Sequence, residues 1–189
     1  RVFALARGAG LATSLDLCQP DRTSPAAKAD WRGIFARVLP KVDLFLPSLE
    51  EILFLIDRKR YDVLAASGDV LAGVDGALLH DLAGQLLDWG SQIVVLKLGE
   101  HGLYLRTAAG AANLPGLGPA WAGRELIAPC FKVRVVGTTG SGDCTIAGFL
   151  AGVYQGLPPE EVMTAAVGVG AFNVEVPDAV SGVPSWKTL

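Results

Sequence analysis

Apolar and polar positions fall into blocks that alternate between short runs and helical stripes. Leu11–Leu17 is a short apolar run closing on Asp16 and predicts a buried strand. A loop rich in Pro, Asp and Ser follows at Gln19–Pro25. Between about Ala26 and Leu39, Trp31, Ile34, Phe35 and Val38 recur at helical spacing. Val42–Leu46 predicts a second strand, closed by Pro47, and Leu49 to about Asp57 predicts a helix. Arg58–Gly73 shows no clear period. Asp75–Trp89 carries Leu78, Leu79, Leu82, Leu86 and Leu87 on one stripe and predicts an amphipathic helix. Ile93–Leu98 is the clearest strand, and Gly102–Arg106 reads as a strand beside or just beyond it. Thr107–Gly123, rich in Ala, Gly and Pro, predicts an exposed connection. Phe131–Val136 predicts a strand leading into the Gly-rich segment Gly137–Asp143. Helices are expected at about Gly142–Gln155 and Pro159–Val174, with Pro158 and Pro159 suited to the start of the second. No internal repeat is present.

Strands alternating with helices predict an α/β fold, a mostly parallel sheet with helices on both faces. Ligands in such folds bind at the carboxyl ends of strands, so chemistry is sought just after each strand. The 189 residues suit one domain spanning residues 1–189. A hydrophobic content of 51% and a charged content of 19% exclude a disordered tail. Mean hydropathy is +0.41, which raises the possibility of a membrane segment. A long uncharged run between Asp143 and Glu160 is broken by Gly148, Gly152, Gln155, Gly156 and Pro158–Pro159, so no membrane span is predicted there. The apolar excess is assigned to strands covered on both sides.

Net charge is −3, with no basic cluster, so no nucleic-acid partner is expected. Cys18, Cys130 and Cys144 are scattered without a Cys-x-x-Cys pair, which fits a reducing cytoplasm rather than a disulfide framework. His80 and His101 are the only histidines, which excludes a multi-histidine metal centre. Arg1–Gly10 reads as the tail of a helix with no start signal, and the chain is expected to be a fragment.

The richest segment is Val135-Val136-Gly137-Thr138-Thr139-Gly140-Ser141-Gly142-Asp143, continuing into Cys144–Leu150. It reads as a strand, a Gly-rich turn and a helix start. Glycines let several N–H groups converge on one point. The helix N-terminus adds free N–H groups and its positive dipole end, making an anion site suited to phosphate. Asp143 beside it has two readings: a first-turn acid that favours the helix start, or a base for a hydroxyl attacking that phosphate. The Gly-Lys-Ser/Thr ending of a Walker loop is missing. So is a Gly-x-Gly-x-x-Gly fingerprint, which disfavours a dinucleotide oxidoreductase.

Thr138-Thr139-Gly140-Ser141-Gly142-Asp143, with Ala147-Gly148-Phe149-Leu150 after it, closely resembles the second signature of the phosphofructokinase-B (pfkB)/ribokinase family, usually Asp-Thr-x-Gly-Ala-Gly-Asp. The resemblance implies a three-layer ribokinase-like fold. It places the anion hole for the transferred phosphoryl group on Gly140, Ser141 and Gly142 and the catalytic base on Asp143. Val94–Gly102 resembles the strand and loop that contact the nucleotide, which implies ATP contacts near Lys97, Gly99 and Gly102, with Thr138 and Thr139 beside them. Leu46–Glu51 resembles Pro-Asn-x-x-Glu, implying that Glu51 helps organise Mg2+ and phosphates. Ser14-Leu15-Asp16 resembles the family's strand-end acidic segment. Gly170–Pro184 resembles the C-terminal helix and the loop around adenine and a monovalent cation, which puts Asn173 beside the nucleotide.

The pattern departs from the family at several points. Ser48 stands for the usual Asn, and Ser48-Leu49-Glu50-Glu51 is also a capping box, so Glu51 has a structural reading beside the metal one. Lys97 replaces a frequent Thr and can pair with phosphate or neutralise a nearby carboxylate. Gly99 and Gly102 also read as plain turn glycines. Gly137 replaces the Asp that contributes to the monovalent-cation site, so cation activation is in question. Arg22, His101 and the four tryptophans read as surface or packing residues.

The family's first Gly-Gly motif, its lid and most sugar-binding residues have no counterpart here. The expectation is therefore the nucleotide-binding and catalytic part of a kinase with its N-terminal part and lid missing. Such a piece is inactive alone, exposes a sheet edge and needs the rest for stable folding. Family dimers meet through the lid, so a homodimer through that missing part is the expected assembly. The implied reaction is ATP-dependent phosphorylation of a hydroxyl on a sugar-like small molecule. The alternatives are a nucleoside kinase of the same fold and a non-catalytic nucleotide-binding relative.

Overall fold

The computed structural model describes residues 1–189. Its elements in chain order are α1 (Val2–Gly8), β1 (Ser14–Leu15), α2 (Trp31–Val38), β2 (Leu44–Phe45), α3 (Leu49–Ile56), α4 (Arg58–Ala66), α5 (Gly76–Asp88), β3 (Ile93–Lys97), β4 (Leu103–Thr107), β5 (Glu125–Ala128), α6 (Ser141–Tyr154) and α7 (Pro159–Val174). The strands form one sheet in the order β1-β2-β3-β4-β5.

The sheet is mixed. Strands β1, β2 and β3 run parallel. Strands β3, β4 and β5 are joined antiparallel, with Leu96 opposite Tyr104 and Tyr104 opposite Ile127. The α/β reading and the hairpin after Ile93–Leu98 therefore hold, and the mostly parallel expectation applies to the first three strands. The short strands β1 and β2 are narrower than the apolar runs that predicted them, although Leu46 N–H still donates to Leu15 O at 2.9 Å.

Period-2 alternation divides the interior into two cores. Phe45, Val94, Leu96 and Tyr104 face α2, α3 and α5 on one side. Leu44, Leu46, Ile93, Val95, Leu103 and Leu105 face α6 and α7 on the other, where Phe149, Val162, Met163 and Ala166 are buried. Three layers result, with helices on both faces. Trp121 sits edge-on against Phe149, ring centroids 6.2 Å apart, in the second core. Because Trp121 and Ala111 are buried, the segment Thr107–Gly123 is a covering loop for that core rather than the exposed connection expected.

Three further expectations change. Arg58–Gly73, read as irregular, contains α4, whose start is capped by Asp57 accepting from the Arg60 N–H at 3.2 Å. Helix α4 lacks an apolar stripe because it packs mainly through Tyr61, set edge-on to Phe54 at 5.3 Å. The helix expected over Ala26–Leu39 is a 3-10 turn at Pro25–Lys28 followed by α2, because Asp30 caps the Gly33 N–H at 2.9 Å and restarts the helix. Phe131–Val136 is not a strand. Strand β5 takes the sheet edge instead, and Pro129 directly after it has no N–H to continue the ladder. Val136 N–H donates to Val174 O at 2.7 Å, so this segment is tied to the end of α7.

At the opposite edge, Val2, Leu5 and Leu11 are 77%, 67% and 61% exposed beside β1. A buried clamp joins that edge to the sheet: Asp43 accepts from the Thr13 N–H at 2.8 Å and from its hydroxyl at 2.9 Å. No helix is long and apolar enough to cross a membrane.

Candidate active site

Because β1, β2 and β3 are parallel, their carboxyl ends lie at one edge of the sheet. Asp16 follows β1, Ser48 and Glu51 follow β2, and Lys97 ends β3. A bridge between Ser48 and Lys97 extends the sheet pairing to this edge, with Lys97 N–H donating to Pro47 O at 3.0 Å. Lys97 Nζ lies 2.9 Å from both Oδ1 and Oδ2 of Asp16. Of the two sequence readings of Lys97, pairing with a carboxylate is the one seen.

Ser48 and Glu51 form the capping box. Ser48 Oγ accepts from the Glu51 N–H at 3.2 Å, and Glu51 Oε2 accepts from the Ser48 N–H at 2.7 Å. The other Glu51 oxygen makes no hydrogen bond within the chain.

Across from Lys97 stands the start of α6. Gly140 caps it in the left-handed region, φ 76°, without a side-chain cap. A Cβ there would stand 2.7 Å from Ala179 O and 2.9 Å from Ala179 Cβ, so only glycine fits. Ala179 O in turn accepts from Asn173 Nδ2 at 2.9 Å and from Cys144 Sγ at 3.3 Å. The Ser141 N–H is taken by Thr138 O at 3.2 Å, which turns the chain into the helix. The N–H groups of Gly140, Gly142 and Asp143 have no partner in the chain. Of the anion-hole residues expected, Gly140 and Gly142 offer free donors, and Ser141 supplies the turn.

Asp143 is exposed in the first turn of α6, and its carboxylate makes no hydrogen bond or ion pair. Capping therefore does not occupy it. Burial pushes the neighbouring Cys144 thiol up, and the Asp143 charge adds to the effect. The Cβ position of Gly142 lies 3.8 Å from Lys97 Cδ and Nζ, so the ammonium borders the cradle. A positive charge, free N–H donors and an uncommitted carboxylate thus share one edge. That set can hold a phosphoryl group and deprotonate a hydroxyl.

The remaining candidates are placed around this centre. Gly99 and Gly102 flank the turn after Lys97. Gly102 (φ 98°) lies so close to β5 that a Cβ would overlap Ala128 O, and Gly99 O accepts from Cys130 Sγ at 3.4 Å. Thr138 and Thr139 are exposed on the approach to Gly140. Asn173 is fully buried behind the cradle, with its Oδ1 unpartnered. Its amide is committed to the loop carrying Ala179, so it holds that loop instead of facing the open edge. His101 is exposed. Arg22 lies 5.2 Å from the Tyr61 ring centre, away from the cradle residues. A cavity of about 780 Å3 lies elsewhere, between Phe131, Phe172 and Trp186 on the outer side of α7.

Two contributors were not among the sequence candidates for the site. Asp16 was visible as a strand-end acid, but its partner was not. Ala179 carried no sequence signal, because its role rests on a backbone carbonyl.

The donor set also bears on magnesium. No group of three or more His, Cys, Asp or Glu side chains converges to hold a metal. Glu51 offers one free oxygen near the cradle edge. That fits a magnesium ion carried mainly by phosphates and touched by one or two carboxylates.

Comparison with known proteins identifies the family. Residues 5–186 match the model of the pfkB family carbohydrate kinases. The chain is 28% identical over 124 residues to 2-dehydro-3-deoxygluconokinase of Bacillus subtilis, covering 66% of the chain and 34% of that protein. It resembles the solved Arabidopsis thaliana ribokinase in complex with ribose and ATP, at 20% identity and TM-score 0.71, over 99% of the chain and 49% of that structure. An Escherichia coli protein of the same fold, solved with ATP and magnesium, aligns at 20% identity and TM-score 0.65, over 96% of the chain and 48% of that structure. The chain thus spans from a third to about half the length of these relatives.

Proposed function

The chain belongs to the pfkB family of carbohydrate kinases, and from that premise we propose that the protein containing it transfers a phosphoryl group from ATP to a hydroxyl of a sugar or sugar-like compound. One observation carries the reading: the turn at Gly140–Gly142 presents unpaired N–H groups beside the Lys97 ammonium, with the uncommitted Asp143 next in the same helix turn.

ATP and magnesium, when bound, supply an activated phosphoryl group whose charge is partly neutralised. The chain's residues do the rest. The N–H groups of Gly140, Gly142 and Asp143 and the α6 dipole are set toward the negative charge of the phosphoryl oxygens. Lys97 adds a cation at the same edge. Glu51, held by Ser48, is the residue suited to touch the magnesium. The Gly99–Gly102 turn, fixed against β5, is the nucleotide-side wall. Asp143, tied to nothing, takes the proton from the acceptor hydroxyl. Catalysis in this scheme is positioning and electrostatics.

A non-catalytic reading is disfavoured by the same carboxylate, which makes no cap hydrogen bond and no ion pair although it stands in the first turn of α6. The test is ATP consumption by the complete protein offered neutral sugars, sugar acids and nucleosides in turn. Consumption that depends on one class of polyhydroxy acceptor and is abolished in Asp143→Asn supports the proposal. Equal activity in Asp143→Asn overturns it.

A further inference from the structure

We infer that Asp16 is a positioning residue for phosphoryl transfer, acting through Lys97. The inference rests on the reading of the Gly140–Asp143 turn as a phosphoryl cradle and adds to it the group that aims the cradle's cation.

A lysine on a flexible four-carbon stem is usually a mobile point charge. Lys97 is not. Its side chain is 14% exposed and its ammonium is centred on the Asp16 carboxylate, 2.9 Å from each oxygen. The two residues come from the ends of β1 and β3, with β2 between them, so the pair bridges the parallel half of the sheet at its carboxyl edge. Two of the three ammonium N–H groups are taken by Asp16, and the third has no partner in the chain. Gly142 lies nearby: its unbuilt Cβ position is 3.8 Å from both Cδ and Nζ. The Gly142 N–H is itself free. An anionic oxygen held by that N–H meets the ammonium without the lysine having to leave Asp16.

This arrangement has two physical consequences. The lysine has lost its rotamer freedom before any ligand arrives, so the ligand does not have to order it. The carboxylate also offsets part of the lysine charge, so a resting dianion is held less tightly than a bare lysine would hold it. The extra charge that spreads over the phosphoryl oxygens during transfer is met by a cation already in place.

The test needs no knowledge of the acceptor. Magnesium-ADP binding to the complete protein is measured by calorimetry with and without aluminium fluoride, which mimics the phosphoryl group in flight. Wild type, Asp16→Asn, Lys97→Met and the double variant are compared. In wild type, fluoride tightens ADP binding. Lys97→Met is expected to lose about tenfold of that tightening and Asp16→Asn about three- to tenfold, while ADP alone changes less than about twofold. The double variant is expected to lose no more than Lys97→Met, because Asp16 has nothing left to aim. Asp16→Glu keeps the charge on a longer arm and is expected to lose part of the tightening, which covers the case in which Asp16→Asn fails to fold. Unchanged tightening in the folded Asp16 variants overturns the inference. So do losses that multiply in the double variant, since Asp16 would then act independently of Lys97. If wild type binds ADP but never responds to fluoride, the cradle itself is wrong and the inference falls with it.

Discussion

The two sides of the candidate site are built differently. On the sheet side, every charged group is held. Lys97, at the end of β3, is gripped by Asp16, and Glu51, in the first turn of α3, is locked to Ser48, with two cores beneath them. On the α6 side, position is set by backbone alone. Gly140 is wedged against Ala179, Ser141 closes the turn on Thr138, and the one charged side chain, Asp143, touches nothing. The difference separates two tasks. In the proposed reaction, the groups that would meet fixed charge are ordered in advance, and the group that would take a proton is left uncommitted.

If that division is right, the α6 side carries chemistry and the sheet side carries placement and stability. The sharpest way to break it is Asp143→Asn. Turnover of the complete protein is expected to fall about a thousandfold or more with nucleotide affinity retained, measured by steady-state kinetics and calorimetry. Gly140→Ala comes next. It forces a side chain into the left-handed region and against Ala179, so a loss of about 1–3 kcal/mol is expected in chemical denaturation. A fall in turnover larger than that stability loss explains would accompany it. Ser48→Ala should separate the sides from the other direction. Loss of the cap is expected to cost about 1 kcal/mol of stability and less than tenfold in turnover. A thousandfold loss of turnover there would collapse the distinction.

The smallest effect lies outside the site, on β5. The Tyr104 hydroxyl donates to Glu125 at 2.7 Å and holds that carboxyl below its usual range, with His80 at 3.0 Å adding to the effect. A lowered folded value means stability that is present above the ordinary carboxylate range and lost as pH falls through it. Glu125 is nearly half exposed, so the contribution is small. Wild type is expected to be slightly more stable than Glu125→Gln at neutral pH, with the gap closing in acid. Denaturation curves across that range test this.

Much of this was legible in the residues. The stripe of Asp75–Trp89 and the β-branched run Ile93–Leu98 fixed α5 and β3, because each has one period and no competitor. The Gly-rich turn and the helix start after it were legible because glycines cluster directly before a helical run. Phe131–Val136 misled because a β-rich run says nothing about whether a partner strand is vacant, and β5 with Pro129 had already closed that edge. Helix α4 was missed because its only strong local signal is Asp57, a cap without an apolar stripe behind it. The Lys97–Asp16 pair joins residues far apart in the chain, so only the sheet order could choose between the two readings of Lys97.

The carbonyl of Ala179 has a consequence for how the protein comes into being. During synthesis α6 can coil as soon as it leaves the ribosome, but Gly140 has nothing to lean on until α7 and the loop after it have folded back and Asn173 has seized that carbonyl. The candidate site therefore matures only after α7 and that loop are in place, and a chain interrupted before the loop would hold its sheet yet lack a finished turn at Gly140.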